Sequence, residues 1–142
     1  MDFVIETLDG ILEGIGNFSA IHICGAITPL VKEVMVRGAA DIIDHEFEGI
    51  PRNLRAYTRR EIEEADKVIG FGCVSSDSTD VESVDRIRRS AMRGLDLFGD
   101  RLLIKPNCGF GGLIGAPSAY EASIGKLRNM VKAARELGES GR

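Results

Sequence analysis

A basic excess is missing from this chain: 18 lysines and arginines stand against 22 aspartates and glutamates, a net charge of −4 at pH 7. Phosphate backbones require a concentrated basic face, so no nucleic-acid partner is expected. The arginines that do gather, Arg52, Arg55, Arg59 and Arg60 in one group and Arg86, Arg88, Arg89 and Arg93 in another, read as solvated helix faces. No apolar run approaches the roughly 18 residues of a membrane span. Asp2 and Glu6 stand where a secretion signal would carry lysine or arginine, so no such signal is expected. Cysteine is scarce and odd in number, three in all, which argues against a disulfide framework. The expectation is a cytoplasmic chain whose thiols are reduced and free for a metal or for chemistry. Low-complexity segments and interdomain linkers are also lacking. At 142 residues and 44% hydrophobic, residues 1–142 are expected to form one domain with a real core.

What is present is an alternation of periods. Phe3, Val4, Leu8, Ile11, Leu12 and Ile15 recur at helical steps, with Gly14 and Gly16 as the stop. Residues 18–24 alternate as a strand, placing Ala20, His22 and Cys24 on one face and Ile21 and Ile23 on the other. Thr28 and Pro29 open a helix that Gly38 closes. A second strand over 40–47 turns Ile42, Asp44 and Glu46 one way and Ile43, His45 and Phe47 the other, with His45 directed at the helix layer. Residues 51–65 read as helix with an aromatic anchor at Tyr57. Residues 67–73 form a third strand, whose two glycines permit close approach of backbone or ligand. After a Ser/Asp/Thr loop over 75–80, Val84, Ile87, Ala91, Leu95 and Phe98 mark a helix, and residues 101–105 a fourth strand. Ser118 and Glu121 have the spacing of a capping box for a last helix ending at Gly138, with a short frayed tail beyond it. A helix followed by four strand–helix units predicts an α/β fold, a parallel sheet with helices outside it.

In parallel β/α folds, catalytic and binding groups collect at the carboxyl ends of the strands. His22, Cys24, Glu46, Cys73 and Cys108 all lie at or just past such ends. Singly, each has a structural explanation, since a buried cysteine behaves as a small hydrophobe. Together at one rim they point to a metal site. Imidazole with thiolates in a four-coordinate set favours zinc. Two cysteinates and a carboxylate outweigh the charge of that ion. A substrate thiolate bound there therefore stays electron-rich, which suits alkyl transfer better than hydrolysis. For Cys73 three roles are open: a spare ligand, a replacement for Glu46, or a wall of the pocket.

These residues carry a resemblance. His22-x-Cys24, Ala40-Asp41-Ile42-Ile43-Asp44-His45-Glu46, Ile69-Gly70-x-Gly72, Pro106-Asn107-Cys108-Gly109 and the run from Lys126 to Arg135 resemble the C-terminal catalytic barrel of cobalamin-independent methionine synthase, especially its short archaeal-type relatives. The resemblance covers nearly the whole chain from Ser19 onward. It implies Zn2+ held by His22, Cys24, Glu46 and Cys108, and a methyltransferase of methionine biosynthesis in which homocysteine thiolate takes a methyl group. Two departures bear on the chemistry. Val74-Ser75-Ser76-Asp77 replaces the Tyr-Asp-Ile-His of folate-using members, leaving Asp77 as the available acid. A methylcobamide donor, whose leaving cobalt needs no proton, is therefore favoured over methyl-folate. Asn107 stands where the family usually has aspartate.

A (β/α)8 barrel typically needs about 250 residues, so four strands amount to a half-barrel, the C-terminal half by the resemblance. The homocysteine-binding residues would then lie in the other half. A fragment of a longer chain, a split enzyme with an N-terminal half-barrel partner, and a homodimer of half-barrels are the competing explanations. Rival functions are a non-catalytic zinc-binding half-barrel that completes another chain, and the related barrels that decarboxylate uroporphyrinogen or move methyl groups from methylcobamide to another thiol.

Overall fold

The computed structural model of the protein describes residues 1–140. Its elements follow the expected alternation: α1 (Asp2–Leu12), β1 (Ala20–Ile23), α2 (Pro29–Arg37), β2 (Ile42–Glu46), α3 (Arg59–Glu64), β3 (Val68–Val74), α4 (Val84–Phe98), β4 (Leu102–Pro106) and α5 (Ala119–Ser140). Short 3-10 turns occupy Pro51–Arg55 and Phe110–Leu113. The strands pair in parallel in the order β1-β2-β3-β4. Parallel neighbours require a crossover, which the helices supply. Pro106, which has no N–H for a ladder, falls in β4 at the sheet edge, where that loss is tolerated.

Strand parity divides the sheet into two faces of opposite character. Ile43, Phe47, Ile69, Phe71 and Cys73 share one core with Met35, Ile62, Ile87, Phe98 and Ala133 from the helices. Phe47 stacks on Phe71 with ring centroids 4.4 Å apart. The opposite face presents His22, Ile42, Asp44, Gly70, Leu103 and Lys105 in register. Along β2 fully and partly buried residues alternate, and Leu103 on β4 is 51% exposed. Parallel sheets are ordinarily covered on both sides. Among the described residues the inner face of this TIM-type half-barrel lies open, with β1 and β4 as the two edge strands.

Four local expectations are corrected. The helix expected over 51–65 is broken in two, because Thr58 and Glu61 form a capping box that restarts the chain as α3. Tyr57, just before it, is turned inward and 3% exposed. The capping box expected at Ser118 does not form, since Ser118 takes a left-handed backbone (φ 58) while an N-cap needs an extended one. Helix α5 runs on through Gly138 to Ser140; the rest of the expected frayed tail, residues 141–142, lies outside the described residues. Finally, the apolar stripe of α1 is not buried: Ile5 is, but Phe3 and Ile11 are 79% and 70% exposed. Polar contacts hold that helix instead, from Arg37 to Asp2 and from the Ala39 N–H to Asp9, each at 2.6 Å.

The two glycines of β3 make room for the side chains of neighbouring strands. A Cβ at Gly70 would lie 2.9 Å from Asp44 Cβ, and one at Gly72 would lie 2.6 Å from Asn107 Oδ1 and 2.7 Å from the His45 carbonyl. At Gly72 much of the obstacle is backbone, which cannot swing aside. Gly72→Ala is therefore expected to cost about 1–3 kcal/mol by overpacking, seen as a lower urea midpoint; an unchanged midpoint would mean that the rim relaxes freely.

Candidate metal centre

The first ligand candidate is set by a strand and the second by the turn that follows. His22 sits on β1 with its ring on the open face, and the chain then turns at Gly25, whose φ of 78 suits glycine. Cys24 stands between them. Cys108 comes from the loop after β4, at the far edge of the sheet. Three strand-to-strand steps separate the β1 and β4 edges, roughly 14 Å along a flat sheet. The curl of the sheet brings the side chains together nonetheless. His22 Nε2 lies 3.0 Å from Cys24 Sγ, and Cys24 Sγ lies 3.6 Å from Cys108 Sγ. Among the described residues, His22, Cys24 and Cys108 place one donor atom each within 4.8 Å of one another. The Cys24 thiol is held above its ordinary range, chiefly by its hydrogen bond with Cys108 and then by burial. A bound cation reverses that balance by stabilising thiolate.

Glu46 is on the same rim but outside this trio. Its Oε2 accepts a 2.9 Å hydrogen bond from the Gly25 N–H, next to Cys24. Asp77 lies further round, with Oδ1 accepting from Ser75 Oγ at 2.6 Å. Glu46 and Asp77 both line a cavity of about 410 Å³, together with Glu48, Ser75, Arg86 and Asn107. Cys73 belongs to neither group. Parity sends it into the helix-facing core with Phe71, burial pushes its thiol up to about 12, and the sulfur contacts the Lys105 carbonyl at 3.6 Å. It is a packing residue rather than a wall of this cavity.

His45 also faces away from the trio. It is fully buried, with Nδ1 3.2 Å from the Ile23 carbonyl and Nε2 2.9 Å from the Tyr57 hydroxyl. The carbonyl can only accept, so Nδ1 carries the proton and Nε2 accepts from the hydroxyl. Burial holds the imidazole below its usual range and the phenol above its own. Both groups are neutral and mutually satisfied.

Two asparagines that the sequence reading gave no such role fasten the rim. Asn53, 1% exposed, donates from Nδ2 to the Gly25 and Glu46 carbonyls at 2.8 and 2.7 Å and accepts from the Ile27 N–H at 3.0 Å. One amide thus locks the turn after Cys24 to the end of β2. Asn107 accepts from the Phe47 and Glu48 N–H groups at 3.3 and 3.2 Å and donates to the Glu48 carbonyl at 2.7 Å. It needs both a donor and an acceptor, which accounts for an amide where the resemblance leads one to expect aspartate. Asn107→Asp would set a carboxylate oxygen against the Glu48 carbonyl. A loss of about 1–3 kcal/mol is expected at neutral pH, the cost of a buried polar group without its partner; thermal melting checks it. The local signal was only their polarity, Asn107 just past a strand end and Asn53 within a stretch that read as helix; their partners come from other strands and loops.

The comparisons with known proteins bear on the family and the fold. Residues 18–136 match the family model described as cobalamin-independent synthase, catalytic domain. A methionine synthase of Methanothermobacter marburgensis is 41% identical over 119 residues, which is 83% of this chain and 36% of that protein. One from Methanothermobacter thermautotrophicus is 38% identical over 91% of this chain and 40% of its own length. A B12-independent methionine synthase from a Shewanella species, solved in complex with selenomethionine, superposes with a TM-score of 0.69 at 20% identity, covering 99% of this chain and 44% of that one. At that identity the likeness establishes the fold. The chain spans less than half the length of each of these relatives. By the match over residues 18–136, it belongs to the cobalamin-independent synthase catalytic-domain family.

Proposed function

We propose that the chain supplies the zinc-binding half of a methyltransferase that converts homocysteine to methionine. The observation that carries this reading is the convergence of His22 Nε2, Cys24 Sγ and Cys108 Sγ at the carboxyl ends of β1 and β4. The donor set fits zinc. Two sulfurs 2.3 Å from one tetrahedral ion would stand about 3.8 Å apart, close to the 3.6 Å between Cys24 and Cys108. Glu46 would be the fourth ligand in this reading, giving up the hydrogen bond it now accepts from the Gly25 N–H. Held by these residues, zinc would supply the charge that keeps a substrate thiol ionised at neutral pH, and the surplus negative charge of Cys24, Cys108 and Glu46 would keep that sulfur nucleophilic. A reducing compartment such as the cytoplasm maintains the two cysteines as thiols.

The reaction breaks the bond from methyl to its carrier and forms a sulfur–methyl bond, while the thiol proton leaves to solvent. A departing folate nitrogen also takes up a proton. Asp77, exposed and on the wall of the cavity that Glu46 lines, is the chain's acid for that role. A cobalt leaving group departs with its electron pair unprotonated, so the lack of an imidazole at residue 77 favours a methylcobamide donor. Methionine formation followed by mass spectrometry, with each donor in turn, tests this. At least equal turnover with the methylcobamide is expected, and a clear preference for methyl-folate reverses the choice of donor.

The open inner face is completed, in this reading, by the further β/α units that make up the unmatched length of the relatives. Exposed Leu103 on that face, Phe3 and Ile11 on α1, Phe18 just before β1, and Tyr120 and Val131 on α5 provide apolar surface for them. The chain mixed with an N-terminal half-barrel from a relative is expected to bind it one to one and to gain turnover. Assembly of two copies of this chain alone would instead support the homodimer, and zinc binding without turnover in the completed assembly would support a non-catalytic role.

A further inference from the structure

One charged side chain lies on the open face of the sheet where no substrate chemistry calls for it. Lys105, on β4, is paired in register with Gly72, and Gly72 with Glu46. Because Gly70 and Gly72 carry no side chains, its amine can cross β3 and reach the strands beyond. Nζ lies 2.5 Å from Asp44 Oδ1 on β2, 3.3 Å from His22 Nδ1 on β1, and donates to the Asn107 carbonyl at 2.7 Å. Asn107 is one peptide bond from Cys108. Asp44 Oδ1 is in turn 3.2 Å from His22 Nδ1. For Nε2 to offer its lone pair toward the sulfurs, the ring proton must sit on Nδ1. An ammonium has only donors, so the acceptor within reach of that proton is Asp44 Oδ1, a buried oxygen that stands at ion-pair distance from both nitrogens without an aligned hydrogen bond of its own.

We infer that Lys105 is a positioning residue of the metal centre, holding Asp44 against His22 and, through the Asn107 carbonyl, the loop that carries Cys108. A single side chain then sets the separation of two ligands from opposite edges of the sheet. Exposed ion pairs contribute little, but the Lys105 and Asp44 side chains are only 22% and 19% exposed and share an oxygen with the ligand ring. A carboxylate behind a metal-bound histidine is a common device for fixing ring orientation, and its loss typically lowers metal affinity about 10–100-fold. The distinctive element here is the lysine that fixes the carboxylate from across the sheet.

This inference rests on the zinc-site reading, and the experiment separates the two. Zinc affinity would be measured by competition with a chromophoric chelator in the purified chain and in the K105M, D44N and K105M/D44N variants. The cobalt(II)-loaded spectra would be recorded alongside as a report on ligand geometry. Both single variants are expected to bind zinc at least ~10-fold more weakly and to shift the cobalt bands. The double variant is expected to be no weaker than the worse single, as follows when Lys105 acts through Asp44. Should K105M fail to fold because Asp44 is left unpaired, the double variant reads the second route, the bond to the Asn107 carbonyl: zinc binding weaker than in D44N supports the inference, and binding equal to D44N overturns it. Unchanged affinity in the variants, or losses that add in the double, would overturn the inference while leaving the metal site in place. A parent chain that binds no zinc would overturn both.

Discussion

Replacing Cys108 with serine is expected to reduce bound zinc from close to one ion per chain to well below it. The Cys108 sulfur lies 3.6 Å from that of Cys24, and its loss leaves His22 and Cys24 as the assembled donors, with Glu46 bonded to Gly25. A serine hydroxyl is a hard ligand, neutral at pH 7, that shares neither the charge nor the softness of a thiolate. Folding should hardly notice, because Cys108 lies half-buried in a loop outside the core cluster. With zinc withheld, the variant and parent should melt within about 0.5 kcal/mol of each other. With zinc added, the parent should gain about 2.7 kcal/mol at a hundredfold excess over the dissociation constant, and the variant much less. Cys73→Ser is the natural contrast. That residue is buried among Phe71 and its neighbours, so its hydroxyl should cost about 1–3 kcal/mol of stability while zinc stays near one per chain. Elemental analysis with melting curves in both conditions reads all of this. Full zinc in the Cys108 variant would remove the basis for the site.

The parts of the molecule that were legible in the sequence depend on period and on chain order. Alternation over the second strand separated Glu46 from His45, and strand-end position grouped His22, Cys24 and Cys108; none of this required knowledge of which strand pairs with which. What was not legible depends on pairing. Asp44 was visible as a carboxylate pointing the same way as Glu46. Its contact with His22 follows from the register of β1 on β2, and its contact with Lys105 from a reach across β3 that Gly70 and Gly72 leave open. Asn53 and Asn107 act through backbone groups of distant segments, which carry no sequence signature. Cys73 was placed at the rim by its nearness to a strand end, whereas one step of parity sends it to the opposite face. The two capping boxes show a nearer competition. Thr58 and Glu61 prevailed within a stretch that read as continuous helix, while Ser118 adopts a left-handed backbone that excludes the cap expected there. The stripe of α1 and the inner face of the sheet were both legible as apolar periods, and both stay uncovered among the described residues.

The largest effect on stability should come from Lys126→Met. Lys126 on α5 is fully buried, and its amine donates to Glu82 Oε2 at 2.7 Å and to the Asp80 carbonyl at 2.5 Å. Glu82, itself only 4% exposed, accepts the Ser75 N–H through its other oxygen at 2.9 Å. Asn129 donates to the Glu82 carbonyl, and Val81 packs against Gly125 so closely that a Cβ there would lie 3.1 Å away. Helix α5 therefore grips the loop of residues 75–82, which bears Asp77 and walls the cavity beside Glu46. Removing the lysine leaves a carboxylate buried without its cation, a loss of about 3–5 kcal/mol, or a melting point lower by roughly 10–20 °C in a domain of this size. Neutralising the partner distinguishes the cause. In K126M/E82Q the buried charge is gone while the side-chain oxygen still accepts from Ser75, so the double variant should melt above K126M although one of its substitutions is destabilising in the parent. If the double variant melts lower still, the lysine acts by packing and by its bond to Asp80. If it recovers, the pair holds the loop by charge, and Asp77 keeps its place at the cavity for as long as α5 stays docked.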